Sequence, residues 1–267
     1  MTDDSQVRPP AVAGAFYPED PRELTRTIVE LLANAAVAEA GAPVPRALIV
    51  PHAGYFYSGH VAAVGFARWR SLRGKIKRAV ILGPSHRVPL RGVAFPSVSA
   101  FRTPLGDMPV DRSVVRMCAD LPYFQVRDDA HAFEHSIEVE LPFLQVLFGD
   151  IAIVPLVLGD VHPTDVRRIV DRLWNDDDTV LVVSSDLSHY LPDGEALQRD
   201  AATTAAMETL DGDRLGPEDA CGFVGVRAVL ELARQRGLHM STLAVANSGA
   251  ASGDRSRVVG YGAYGFA

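Results

Sequence analysis

Three histidines each stand just after a short, nearly continuous apolar run. His52 follows ALIVP, His86 follows AVILGPS, and His189 follows VLVVSSDLS. Such runs are typical of strands buried on both faces, and open α/β sheets bind ligands outside the carboxyl ends of their strands. If these strands are neighbours, three imidazoles converge on one pocket. Because imidazole is both the commonest metal ligand and a frequent general base, the pattern predicts a metal or acid–base site.

Any one of these histidines, taken alone, is more simply a structural residue, because histidine is often half-buried in folded proteins. Their equivalent positions at three strand ends favour the functional interpretation. Asp186 stands three residues before His189 and is a candidate to orient its ring. We therefore treat His189 and Asp186 as candidate catalytic residues.

A competing motif lies at 131–135, where HAFEH matches the H-x-x-E-H pattern of inverted zinc proteases. That chemistry needs both imidazoles on one face of a helix, with Glu134 as the base. Asp128 and Asp129 predict a loop here and Pro142 disturbs a helix, so a chance match is the favoured interpretation. His135 by itself, ahead of Glu138, remains a candidate pocket residue.

The two cysteines occupy unlike surroundings. Cys221 follows Pro217, where a helix is predicted to start, and a thiol near a helix N-terminus can act as a thiolate ligand or nucleophile. Its alternative role is that of a small buried hydrophobe. Cys118 lies in an apolar helical pattern and is predicted to be core. Only two cysteines, far apart in the sequence, argue against a disulfide framework. This count predicts that the protein is located in a reducing compartment, the cytoplasm.

Strands and helices alternate around these residues. The predicted strands are 47–50, 78–82, 151–158, 179–183 and the tail 257–266. The predicted helices start at Asp20-Pro21-Arg22-Glu23, which has an N-cap and capping-box pattern, follow Pro163, and cover 195–210 and 217–236. This alternation predicts an α/β fold, a three-layer αβα sandwich around a buried central sheet. No long linker divides the chain, so we expect a single domain over 1–267.

The composition excludes several classes of protein. Hydrophobic residues make up 48% and charged residues 22% of the 267 positions, which is typical of a globular protein. The net charge is −7 and no basic block stands out, so neither nucleic acid nor an anionic membrane surface is an expected partner. No apolar run is long enough to span a membrane. The acidic, polar start MTDDSQVRPP does not have the pattern of a signal peptide.

Several motifs together resemble the Memo family, also called AmmeMemoRadiSam system protein B. They occur in the family's order over nearly the whole chain, at 9–18 (PPAVAGAFYP), 51–55 (PHAGY), 83–86 (GPSH), 101–106 (FRTPLG), 134–142 (EHSIEVELP), 184–189 (SSDLSH) and 221–222 (CG). The resemblance implies a relation to the catalytic subunit of class III extradiol dioxygenases, non-haem iron enzymes that open catechol rings.

The resemblance also implies roles for particular residues. His52 and His86 would be the imidazole ligands of the metal, and His189 the acid–base residue. The third ligand of Memo proteins is associated with a cysteine, here Cys221, where the dioxygenases have a glutamate. The remaining members of the expected pocket, placed against the substrate, are His135, Tyr55 and Glu138. The open alternatives as third ligand are a carboxylate, from Glu138 or Asp186, and His189.

Three functional classes follow from this set of residues. The first is a non-haem oxidoreductase acting on an unknown small molecule with a divalent metal, iron(II) before copper or zinc. A thiolate ligand in place of the carboxylate would shift this preference towards zinc or copper. The second is a metal-binding partner protein of the AmmeMemoRadiSam group without turnover. The third is a hydrolase with Cys221 as nucleophile and His189 as base, oriented by Asp186. A thiolate in place of the carboxylate predicts weak or absent ring opening of simple catechols.

Overall fold

A nine-stranded sheet forms the centre of the computed structural model, which describes residues 7–35 and 41–267. The strands of that part of the chain are β1 (Val7–Arg8), β2 (Ala47–Val50), β3 (Arg78–Pro84), β4 (Val93–Phe95), β5 (Ala100–Thr103), β6 (Gly106–Pro109), β7 (Phe124–Val126), β8 (Ala152–Leu158), β9 (Thr179–Ser184), β10 (His189–Leu191), β11 (Met240–Asn247) and β12 (Val258–Phe266). The sheet order is β10-β12-β2-β9-β3-β8-β4-β7, with β11 also paired to β12.

Helices cover both faces of this sheet. They are α1 (Pro21–Asn34), α2 (Tyr55–Ala67), α3 (Val114–Met117), α4 (Asp129–Ala132), α5 (Leu141–Phe148), α6 (Pro163–Leu173), α7 (Asp193–Glu208), α8 (Phe223–Arg236) and α9 (Gly249–Ser252). Helices α1, α2 and α5 pack together, and α6 packs on α8. The sheet with its flanking helices confirms the predicted α/β class.

Side-chain alternation along the strands shows that α2 and α8 lie on opposite faces. Gly65 of α2 lies against Val50 of β2, whereas Gly225 of α8 lies against Val183 of β9. Val50 pairs in register with Ser184, the residue after Val183. Because successive residues of a strand point to opposite faces, the two contacts are on opposite sides of the sheet. Ser184 therefore points to the α2 face, where the Glu134–Glu140 segment lies.

The four strands at the centre are those with continuous apolar runs. β2, β9, β3 and β8 are mutually parallel neighbours in that order, and their residues are almost all buried. Parallel neighbours bring their carboxyl ends to the same edge of a sheet. The segments after β2, β3 and β9 carry His52, His86 and Asp186. The expected convergence of three strand ends is thus confirmed for the strands themselves.

Other elements differ from the expectations in ways that local chemistry explains. Asp20 caps α1 as predicted, its carboxylate accepting from the main-chain N–H groups of Arg22 and Glu23. Helix α8 was expected from Pro217 but begins at Phe223, because the preceding residues form turns. In these turns the Gly216 N–H donates to the Asp219 carboxylate. Strand β11 was missed since its partly exposed residues do not form a continuous apolar run.

A small second sheet, in the order β1-β5-β6, carries the N-terminal part of the described chain. Its Arg8 is buried and reaches across to the segment after α4, as described below. The main hydrophobic core extends from Val12 to Phe266 and joins both faces of the large sheet. Within residues 7–35 and 41–267, no helix is both long and apolar enough to cross a membrane.

Candidate metal centre

Three imidazoles meet at the carboxyl edge of the central strands: His52, His86 and His135. One nitrogen from each ring lies within 4.8 Å of the other two. The ring centres are 5.2 Å apart for His52 and His86, 5.4 Å for His52 and His135, and 4.8 Å for His86 and His135. Two nitrogens bound at about 2.1 Å to one tetrahedral ion lie about 3.4 Å apart, so the rings would shift towards one another to share an ion.

Glu134 holds the His86 ring and the main chains of His86 and His135. Its carboxylate accepts from the His86 main-chain N–H at 2.6 Å and lies 3.0 Å from the His86 Nδ1. It also accepts from the main-chain N–H groups of His135 and Ser136 at 2.9 and 3.0 Å. Although burial opposes ionisation, the hydrogen bonds and charge interaction with His86, together with the main-chain donors, hold the pKa of Glu134 at about 2. An ionised carboxylate against Nδ1 is the usual support of a metal-binding histidine.

His52 is held from the opposite side, by a strand residue rather than a carboxylate. Its Nδ1 lies 2.7 Å from the hydroxyl oxygen of Ser184, at the end of β9. The other ring nitrogen, Nε2, lies 3.5 Å from the sulfur of Cys221. The ring is thus anchored through one nitrogen and offers the other to the centre.

His135 has a buried ring nitrogen that makes no hydrogen bond with any described residue. This atom, Nδ1, lies 3.3 Å from the Glu134 carboxylate, but at an angle unsuited to a hydrogen bond. Burial lowers the pKa of His135 to about 4 and that of His52 well below 6.5, and the neighbouring His86 lowers both further. Neutral imidazole is the form that binds metals. The donor set, the unpartnered nitrogen and the neutral rings therefore fit a divalent ion.

Cys221 lies beside the imidazoles but is protonated in its present surroundings. Its sulfur accepts from the Asp186 main-chain N–H at 3.3 Å. Burial, followed by the nearby Asp186 carboxyl, raises the pKa of the Cys221 thiol to about 12. The expected effect of a helix N-terminus, a lowered pKa, is therefore wrong here, because burial dominates. The thiol can become a ligand only if it releases its proton when a metal binds.

Asp186 and His189 do not form the pair suggested by their spacing. Asp186 accepts from the His52 main-chain N–H at 2.9 Å, and burial raises its pKa to about 7. No hydrogen bond joins it to His189 in the described ranges. Burial lowers the pKa of His189, and a hydrogen bond with the main chain of Leu187 partly offsets this shift. Asp186 therefore shapes the loop that carries His52, and the catalytic roles of both residues stay predictions.

Tyr55 and Glu138, predicted to contact a substrate, have their polar atoms occupied by internal contacts. The Tyr55 hydroxyl donates to the Val139 carbonyl at 2.8 Å, and its ring packs on Phe143. Glu138 is fully buried and pairs with the Arg8 guanidinium at 2.6 Å. Its carboxylate also accepts from the Tyr17 hydroxyl and two main-chain N–H groups. These contacts do not support a direct role in substrate binding for either residue.

The H-x-x-E-H match does not form a zinc-protease helix. Helix α4 ends at Ala132, before the second half of the motif. The buried His131 ring lies 3.1 Å from the Ala94 carbonyl and against Phe101, whereas His135 joins the metal centre. Within this motif only Glu134 and His135 belong to the site, so the interpretation as a chance match to the protease pattern agrees with the geometry.

Sequence reasoning missed how the 134–140 segment supports the site. Gly83 shows that the approach is close, because a Cβ there would lie 2.5 Å from the Ser136 hydroxyl oxygen. That hydroxyl donates to the Pro84 carbonyl at 2.9 Å, which joins the segment to the end of β3. The signal available in the sequence was the glycine itself, placed inside an otherwise apolar strand.

A cavity of about 690 Å³ lies next to Cys221, on the side of α8. Most of its walls are apolar, and its lining includes Ser85, Leu90, Leu158, Asp160, Cys221 and Phe223. A larger cavity of about 900 Å³, between α1 and the β5–β6 hairpin, includes none of the candidate site residues. The smaller cavity reaches Cys221 but is not lined by His52, His86 or His135.

Comparison with known proteins agrees with these sequence motifs. The family model described as "Memo-like protein" matches residues 8–264. The chain belongs to the Memo-like family. A MEMO1 family protein of Aquifex aeolicus is 34% identical, with 96% of this chain and 97% of the relative covered. Relatives of the same description from Thermotoga neapolitana and Thermoplasma acidophilum are each 37% identical, over 96% and 95% of this chain and 98% and 96% of theirs.

A solved structure with the same fold extends the comparison beyond close relatives of this Memo-like chain. The crystal structure of the uncharacterized protein JW3007 from Escherichia coli K12 superposes with a TM-score of 0.53, at 14% identity. It covers 83% of this chain and 99% of the other. At that identity the likeness establishes the fold alone.

Proposed function

We propose that this Memo-like protein binds one divalent metal ion, iron(II) before copper or zinc, and carries out metal-dependent redox chemistry on a small molecule. The observation that carries the proposal is the group of three imidazole nitrogens within 4.8 Å. Two of the rings are held by Glu134 and Ser184 through Nδ1. A set of two or three nitrogens with open positions suits iron, copper and zinc, and it does not suit magnesium or calcium.

The third protein donor is His135 or Cys221. Burial lowers the pKa of His135 to about 4 and keeps it neutral, and one of its ring nitrogens belongs to the three-imidazole group, so it binds without losing a proton. Cys221 lies 3.5 Å from the His52 Nε2 but must first release its thiol proton. We favour three histidines for the resting site, with Cys221 as a further donor for a softer ion.

The bound ion would supply electron transfer or activation of oxygen at its open positions. The surrounding residues hold and orient the imidazole rings. Glu134 and Ser184 each fix one ring, and Asp186 fixes the loop that carries His52. His189 remains the proposed acid–base group, since burial favours its neutral form. The apolar cavity beside Cys221 is the proposed place of the substrate.

The hydrolase alternative has less support. A cysteine nucleophile needs a lowered pKa or an adjacent base, whereas burial raises the pKa of Cys221 to about 12. The imidazole beside its sulfur is His52, which is already anchored to Ser184. A partner protein that binds metal without turnover differs from the main proposal only in activity, and turnover of a small-molecule substrate under oxygen by the iron-loaded protein separates the two.

Metal binding is tested by titrating iron(II), copper and zinc into wild type, His86→Ala and His239→Ala. The control, His239, is an exposed histidine outside the cluster. We expect one ion per chain in wild type and in the control, and a loss of affinity of at least about 10-fold in His86→Ala, as the site loses a direct ligand. Equal binding by all three proteins would contradict the proposed centre.

Proton release decides the third donor. Zinc binding is measured by calorimetry at pH 7 in buffers of different ionisation enthalpy, for wild type and Cys221→Ser. If Cys221 is a ligand, wild type releases about one proton more than the variant, because the bound thiol must ionise. We expect equal release with zinc, together with a marked loss of affinity in His135→Ala.

A further inference from the structure

Ser184 lies at a junction of three polar groups under the metal centre. Its hydroxyl oxygen is 2.5 Å from the Ser136 carbonyl oxygen, 2.7 Å from the His52 Nδ1 and 2.9 Å from the Glu140 Oε1. Ser184 and Glu140 are both 0% exposed. Because the junction is buried, the protons for all three hydrogen bonds must come from the four groups themselves, the Ser184 hydroxyl, the Ser136 carbonyl, the His52 ring and the Glu140 carboxyl.

A serine hydroxyl has one proton to donate and two lone pairs that accept. The Ser136 carbonyl can only accept, and at 2.5 Å two oxygens without a proton between them would repel. The Ser184 proton therefore goes to Ser136. The two remaining contacts can be hydrogen bonds only if His52 and Glu140 each bring a proton of their own, His52 on Nδ1 and Glu140 on its carboxyl group.

The surroundings of Glu140 are those of a neutral acid. Its second oxygen, Oε2, has no hydrogen-bond partner in the described ranges, and no Lys, Arg or His of that part of the chain forms an ion pair with it. Burial raises its pKa well above 4.5, and the carboxyl of Asp186 adds to the effect. An ionised carboxylate here would have no compensating charge.

We propose that Ser184 and a protonated Glu140 form a positioning unit that holds His52 as the tautomer with Nδ1 protonated, leaving the Nε2 lone pair for the metal centre. Were Glu140 ionised, it would attract the Ser184 proton and leave the Ser184 and Ser136 oxygens 2.5 Å apart without a proton between them. Neither residue belongs to the three-imidazole group. The unit acts only through His52.

The value of this unit for metal binding rests on the proposed function. A histidine that already has Nδ1 protonated and Nε2 free binds an ion without changing its tautomer or releasing a proton. The proton states themselves belong to the metal-free protein and can be measured there. Failure of the proposed metal site and failure of this inference are therefore distinguishable.

The direct test is spectroscopic and uses the wild-type protein without metal. Long-range proton–nitrogen correlation of ¹⁵N-histidine-labelled protein at pH 7 reports which ring nitrogen carries the proton, with His52→Gln identifying the signal. We expect protonated Nδ1 and unprotonated Nε2. Infrared difference spectra between wild type and Glu140→Gln, with ¹³C-glutamate labelling, should show a protonated carboxylic acid only in wild type. A His52 proton on Nε2, or an ionised Glu140, would overturn the proposal.

Two variants test the consequence for metal affinity. Ser184→Ala should weaken zinc binding about 10- to 100-fold, as expected when a metal-binding histidine loses its supporting partner, and should allow both tautomers of His52. Glu140→Gln should bind zinc as wild type does, because its amide group can donate to Ser184 in place of the acid.

The matched control is Ser188→Ala, since Ser188 is a buried serine of the loop after β9 whose main-chain N–H donates to Asp200 rather than to His52 or Glu140. It should leave zinc affinity and the His52 tautomer unchanged. Unchanged affinity and tautomer in Ser184→Ala as well would contradict the positioning role.

Discussion

Glu134 and Glu140 lie on the same short segment and are both buried, yet their surroundings impose opposite charge states. Three main-chain N–H groups and the His86 ring surround the Glu134 carboxylate, and its pKa falls to about 2. Glu140 meets one hydroxyl and has an oxygen without a partner in the described part of the chain, and its pKa rises well above 4.5. The number of donors aimed at a buried carboxyl, and not burial alone, decides its charge.

The difference matters because each glutamate supports a different histidine of the candidate centre. The ionised Glu134 directly faces the Nδ1 of His86. Glu140 acts on His52 only through Ser184. One site thus combines a charged support with a neutral one, and each can be changed independently of the other.

Glu138 lies between Glu134 and Glu140 in the sequence, and its carboxylate is paired with a buried counter-ion. Its loss should have the largest effect on the free energy of unfolding. Glu138→Gln leaves the Arg8 guanidinium buried without its partner, and breaking such a pair costs about 3–5 kcal/mol. Urea unfolding at pH 7 measures this loss. A decrease below about 1 kcal/mol would mean that the pair contributes no more than a surface ion pair does.

The second-largest effect on stability is expected when acid protonates Glu134. Because folding lowers its pKa from 4.5 to about 2, the ionised group stabilises the fold above pH 4.5, and this contribution disappears as the pH falls towards 2. The upper limit is about 3 kcal/mol. The free energy of unfolding should decrease less steeply with falling pH in Glu134→Gln, because this variant has no carboxyl group to titrate at this position. The variant should also be less stable than wild type at pH 7. An equal decrease in the free energy of unfolding of the two proteins between pH 5 and 2.5 would contradict the assignment of an ionised carboxylate to Glu134.

Glu140 should show the opposite pH dependence. Its pKa is raised by folding, because burial disfavours the charged form, so its contribution to stability is complete below pH 4.5 and decreases as the pH rises through the folded value. Glu140→Gln has no carboxyl group to ionise and should be more stable than wild type at pH 7. The two proteins should be nearly equal at pH 4. Thermal unfolding at both pH values measures the difference, and a variant less stable at pH 7 than at pH 4 relative to wild type would reverse the assignment.

The smallest effect is expected at Ser136, which joins the two glutamates through its main chain. Ser136→Ala removes only the hydroxyl that donates to the Pro84 carbonyl, a loss of about 1 kcal/mol. Its N–H still reaches Glu134 and its carbonyl still accepts from Ser184. Metal affinity should therefore stay at the wild-type level, and a large decrease in affinity would show that the side chain itself organises the site.

Local patterns were sufficient to predict the frame of the site. The apolar runs of β2, β3, β8 and β9 have the composition of strands buried on both faces, and the structure confirms them as central parallel neighbours. His52 and His86 follow from that frame, because the residue after a parallel strand lies at the ligand-binding edge of the sheet. These features depend on neighbouring residues in the chain, and so the sequence by itself determined them.

The supports and charges of the site were decided only by the tertiary structure. Glu134 is 48 residues from His86, and Ser184 is 132 residues from His52. The spacing of Asp186 and His189 suggested a pair, but folding directs the Asp186 carboxylate to the main chain of His52. A pattern of residue types does not show which donors surround a buried carboxyl or thiol. Since those donors, together with burial, set the proton states of Glu134, Glu140 and Cys221, the chemistry of the centre follows from packing across the whole chain.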